Sequence, residues 1–79
     1  MTIKIIQDGR EVLVKNDLKE LKDFSDAPYS DDKSMFKARH YIRDALREAE
    51  KKQLKEDAQL ILKIVEHLKK FGYEVETNG

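Results

Sequence analysis

Neither proline nor glycine interrupts the chain between Lys33 and Phe71, a stretch long enough for one continuous helix. Its apolar residues do not allow that helix to serve a single core. At about 100° per residue, Met35, Ala38, Ile42, Ala45, Leu46 and Ala49 gather on one direction. Leu54, Ala58, Ile61, Ile64, Val65, Leu68 and Phe71 gather on another, roughly 110° away by the same arithmetic. One rigid rod cannot point both stripes at the same interior. The pattern therefore predicts a turn within Lys51–Asp57 and two packed helices over about 32–51 and 56–71. An unbroken rod would instead need a partner for each stripe, so the choice between monomer and homodimer rests on this break.

The first fifteen residues read as a β-hairpin. Apolar residues alternate on both sides of Asp8-Gly9, a dipeptide that accepts the positive φ angles of a two-residue turn. The simplest register puts Ile5 opposite Val12 and Ile3 opposite Val14, giving one β-branched face. Asn16 or Asp17 then caps a short helix, with Glu20 placed as in a capping box. Leu18, Leu21 and Phe24 are spaced to face the hairpin, and Pro28 ends the helix near Ser25-Asp26. Ala27-Pro28-Tyr29-Ser30 is a loop, after which Ser30, Asp31 or Asp32 caps the next helix.

At the other end, Lys69-Lys70-Phe71-Gly72 has the form of a helix stop, cations followed by a residue at ease in left-handed geometry. Tyr73 to Thr77 alternates as a strand that pairs with an edge of the hairpin. The fold class expected is α+β: a three-stranded antiparallel or mixed sheet packed on two or three helices, in the order ββαααβ, with residues 1–79 as a single domain. A chain of 79 residues buries only about 60% of its unfolded surface, so the core is thin.

Composition narrows the function classes. Sixteen basic residues balance 16 acidic ones, which argues against a globally basic nucleic-acid binder or an acidic mimic. Cysteine is absent, so disulfides, thiolate metal sites and cysteine nucleophiles are excluded. No apolar run approaches the ~20 residues of a membrane span, and no signal-peptide core is visible. The chain reads as soluble and cytoplasmic. Its glycines, at 9, 72 and 79, form no phosphate loop. His40 with Asp44, one helical turn apart, can form a base–orienter pair, but a solvated pair on an exposed face is by far the stronger reading. His67, near a helix C-terminus, suits a capping or surface role. The acids around Asp23, Asp26, Asp31 and Asp32 lack the ligand alternation of a calcium loop. Neither an enzyme nor a metal or cofactor site is expected.

Charge is nevertheless segregated. Residues 16–32 hold six acids and two bases; residues 33–55 hold eight bases and three acids. Lys37, His40, Arg43, Arg47, Lys51 and Lys55 follow one stripe of the second helix, with like charges repeatedly four residues apart. Each such pair costs a helix about 0.2–0.5 kcal/mol, so selection for stability alone would alternate signs. A negatively charged partner explains the stripe. A plain solvated face explains it more readily still, since Asp44–Arg47, Glu48–Lys51, Arg47–Glu50 and Glu48–Lys52 can pair within the helix and Lys and Arg are good helix formers on any solvated face. Phe24 and Phe36 are read as core, and Tyr29, beside Pro28, as the candidate interface aromatic, with packing against the hairpin an equally supported role.

The reading favoured is a non-enzymatic protein-binding or regulatory domain that occupies an acidic surface of another protein. Inhibitors and antirepressors of mobile elements are built on this scale, an analogy of size and composition alone. A nucleic-acid binder using the same stripe is the first alternative, weakened by the scarcity of aromatics. A designed domain without native partner is the second, since the Asp-Gly turn and the glycine helix stop fit idealised rules.

Overall fold

Asp8 and Gly9 both take positive φ, 53° and 77°, and so turn strand β1 (Thr2–Gln7) into strand β2 (Arg10–Lys15). The computed structural model describes residues 2–27 and 33–78. Next to the turn the ladder keeps the two-residue register, Gln7 against Arg10 and Ile6 against Glu11. It then shifts: Ile5 pairs with Leu13, Lys4 with Val14 and Ile3 with Lys15. The expected pairs Ile5–Val12 and Ile3–Val14 do not form, because Val12 is the extra residue of a bulge. Packing explains the shift. It turns Leu13, the larger side chain, inward beside Ile3 and Ile5, keeps Val12 half-buried against the core, and leaves Val14 exposed. Each additional buried methylene is worth about 0.8 kcal/mol.

Helix α1 (Leu18–Asp26) starts where Asp17 accepts a hydrogen bond from the Glu20 backbone N–H at 2.9 Å. Glu20 reaches back in turn, its Oε2 accepting from the Asn16 backbone N–H at 2.6 Å, one residue ahead of the usual capping-box partner. Leu18 and Leu21 are buried, as is Ser25, whose hydroxyl donates to the Lys22 carbonyl. The residues expected to cap the next helix, together with Tyr29, lie outside the described residues.

Helices α2 (Lys33–Lys51) and α3 (Asp57–Lys70) confirm the break. No glycine makes it; Gln53 does, at φ 59°. The Gln53 N–H bonds the Glu50 carbonyl and the Leu54 N–H bonds the Ala49 carbonyl, the hydrogen-bond pair of a Schellman stop. The same pair closes α3 around Gly72 at φ 89°, where Gly72 N–H meets Lys69 and Tyr73 N–H meets Leu68. Ala38, Ile42, Ala45 and Ala49 form the fully buried stripe of α2, with Met35 and Leu46 half-buried beside them. In α3 the buried stripe is Leu60, Ile64 and Leu68. Ala58 and Phe71, expected within it, are exposed.

Strand β3 (Glu74–Asn78) pairs antiparallel with β1, giving an all-antiparallel sheet of order β2-β1-β3. The architecture is α+β in the order ββαααβ. Val75, opposite Ile5, packs on the core, while Glu74 and Glu76 are exposed on the other face of the strand.

Candidate protein-docking face

Where a helix ends, its last carbonyls lack intrahelical donors, and α1 solves this with arginines from α2. Arg39 Nε donates to the Phe24 carbonyl at 3.1 Å, and its guanidinium lies 4.8 Å from the centroid of the Phe24 ring. Arg43 donates to the Ser25 carbonyl through both Nε, at 3.0 Å, and Nη2. Cations also suit the negative end of the α1 dipole. Arg39 is only 7% exposed, and burial of a charge is tolerable only with such partners. Two of the basic residues of α2 are therefore tethers between helices. Arg43, expected from the sequence among the binding residues, is held inward in this way, as is Arg39, which no local sequence signal distinguishes from the other cations of α2.

Lys55 also leaves the stripe. It lies beyond α2, in the turn over 52–56, and lines a cleft of about 440 Å³ with Lys22, Asp26, Leu46, Gln53 and Leu60. The Schellman stop rotates it off the helical phase that the sequence arithmetic assumed. Lys37, His40, Arg47 and Lys51 remain exposed on one side of α2, with Lys33 at its start. Phe36 belongs to the same side. Expected in the core, it is 62% exposed. At about 100° per residue it falls with His40, Arg43 and Arg47, well away from the alanine stripe.

Of the α2 carboxylates, one turns away to α3, one pairs with His40 on this same side, and Glu50 is exposed with no ion pair among the described residues. Glu48 turns to α3, with Oε1 3.5 Å from Lys63 Nζ and Oε2 3.9 Å from His67 Nδ1. Lys63 in particular holds the Glu48 pKa below its usual range, against an opposing push from partial desolvation. Asp44 pairs with His40 at 3.3 Å, on the exposed surface. Among the described residues, none of the pairs Asp44–Arg47, Glu48–Lys51, Arg47–Glu50 or Glu48–Lys52 forms. Lys37, Arg47 and Lys51 thus have no carboxylate partner among the described residues.

His67 is not a surface cap. Its side chain is mostly enclosed, edge-on to Tyr41 and Phe71, and Tyr41 stacks on Phe71 with centroids 4.1 Å apart. Tyr73 meets the same cluster edge-on to Tyr41. The Tyr73 hydroxyl and His67 Nε2 are buried without a hydrogen-bond partner among the described residues. Burial, and secondarily Tyr41, raises the Tyr73 pKa. Among the described residues no three His, Asp or Glu side chains come together as a metal site, and no helix is long and apolar enough to cross a membrane. Comparison with protein-family models, curated proteins and solved structures finds no match to this chain.

Proposed function

We propose that this chain is a non-enzymatic protein-binding domain that docks the exposed side of α2 on an acidic surface of another protein and acts by covering it. The exposure of Phe36 on the same side of α2 as the unpaired Lys37, Arg47 and Lys51 supports the reading. An aromatic anchor surrounded by charge supplies what a stripe of lysines lacks, since anchors dominate binding energy while peripheral charges mainly speed encounter and select the partner. Lys37, Arg47 and Lys51 provide the steering, and His40, paired with Asp44, lies among them.

The test is capture on immobilised protein from nuclease-treated lysate of the source cells. Wild type is expected to retain a partner at moderate salt. The Lys37→Glu/Arg47→Glu/Lys51→Glu and Phe36→Ala variants are expected to lose it, whereas Lys19→Glu, on exposed α1 surface, keeps it. Retention of nothing, or equal retention by every variant, contradicts the proposal. A second reading draws on the same ring: an exposed aromatic among cations also stacks an unpaired base, which makes single-stranded nucleic acid the alternative partner.

A further inference from the structure

α3 carries more apolar surface than the core consumes. Leu60, Ile64 and Leu68 are buried, but Ala58, Ile61, Leu62 and Val65 form a second stripe, roughly 100° around the helix. Leu62 is 58% exposed. With Val75 and Thr77 of β3 and with Lys69, these residues line an open groove of about 450 Å³. Among the described residues β3 pairs with β1 on one side only, so its other edge presents backbone donors and acceptors without a strand partner there. A helix bearing spare apolar residues along a free sheet edge lacks one thing, a fourth strand.

The charges say which strand. β3 alternates, Val75 and Thr77 toward the helices and Glu74 and Glu76 on the outer face. Lys4, cross-strand from Glu76, gives its amine to Glu11 at 3.5 Å. Glu74 lies opposite Ile6. Neither Glu74 nor Glu76 has a cation within ion-pair distance among the described residues. Antiparallel pairing of β3 with a second copy of itself sets these carboxylates against each other, and like charges placed opposite destabilise a ladder. A strand from a different protein, with apolar residues facing Ile61, Leu62 and Val65 and with Lys or Arg facing Glu74 and Glu76, satisfies backbone, groove and charge together.

We propose that the free edge of β3 beneath α3 is a strand-addition site for an extended segment that alternates apolar and basic residues. The site is separate from the exposed side of α2 and stands or falls independently of it. Two labelled peptides of equal length, one alternating lysine with valine and one alternating glutamate with valine, are titrated by fluorescence anisotropy. The lysine peptide is expected to bind, with amide shifts confined to Glu74–Asn78 and the Ala58–Val65 side of α3, and the glutamate peptide is not. Leu62→Glu, at an exposed position, should keep the native circular dichroism spectrum yet weaken the lysine peptide at least tenfold, although it adds a negative charge. Lys37→Glu leaves the affinity unchanged. Binding of neither peptide, equal binding of both, or equal affinity for Leu62→Glu overturns the site. A dimer of the free protein in light scattering that Leu62→Glu dissolves would assign the edge to a second copy instead.

Discussion

Replacing Gln53 by glycine should stabilise this protein, and the structure sets the size of the effect. Gln53 sits at φ 59°, where an L side chain costs roughly 1–2 kcal/mol. Glycine removes that cost but gives the unfolded chain more freedom, a loss of about 0.4–1 kcal/mol. The net gain lies within about 0–1.6 kcal/mol, centred near 0.8. The Gln53 side chain is exposed, and both stop hydrogen bonds come from backbone groups, so the substitution removes nothing else. Gly72 offers the mirror experiment. It closes α3 with the same bond pair, and no atom lies within 4 Å of a Cβ built there. Gly72→Gln is therefore expected to lose about 0.8 kcal/mol, backbone strain partly offset by the reduced freedom of the unfolded chain. In a domain of this size 1 kcal/mol moves Tm by roughly 4–8 °C. Thermal and urea unfolding followed by circular dichroism should move in opposite directions for the two variants. A destabilised Gln53→Gly, or a Gly72→Gln of unchanged Tm, would refute the claim that the two helices end by one mechanism.

Other outcomes follow from the interior. Arg39→Lys keeps the charge but loses the planar group beside Phe24 and the Nε geometry, so it should cost about 1–2 kcal/mol in urea unfolding, whereas Lys37→Ala stays within about 0.5 kcal/mol of wild type. Tyr73→Phe removes a buried hydroxyl that lacks a partner and should raise stability by about 1 kcal/mol. Because the Tyr73 pKa is raised in the folded state, wild type should also lose stability as pH climbs above the ordinary tyrosine value of 10.0, a loss weaker in Tyr73→Phe. Glu48 behaves oppositely: its lowered pKa contributes stability above the ordinary value of 4.5 that disappears as pH falls through the folded value. Tm for Glu48→Gln should lie below wild type at neutral pH and meet it in acid.

The elements legible in the sequence were those written in local chemistry. Asp8-Gly9, Asp17 with Glu20, and Gly72 each specify a backbone state within a few residues, and the phase change across Lys51–Asp57 required a break whatever residue made it. Gln53 gave no such signal, since glutamine at positive φ is held by the hydrogen bonds of the turn and by what the two helices gain in packing. The Val12 bulge was hidden for a related reason: it depends on which of Leu13 and Val14 the helices can bury. The site was harder to read than the fold. Arg39 and Arg43 look like any other cation of α2 until α1 is placed beside them, and Glu48 looks like a neighbour of Lys51 until Lys63 arrives from α3. Phe36 is the exception, because its helical phase sets it on the side of the cations, and only its hydrophobicity points to the core.

The central claim is that the exposed side of α2 recognises protein. It is tested most directly by fluorescence anisotropy of labelled random duplex and single-stranded oligonucleotides at low and moderate salt. The account predicts no binding at moderate salt and, at low salt, at most weak association. Tight binding that falls steeply with salt and is lost in Phe36→Ala and in Lys37→Glu/Arg47→Glu/Lys51→Glu would contradict it and assign the same surface to nucleic acid.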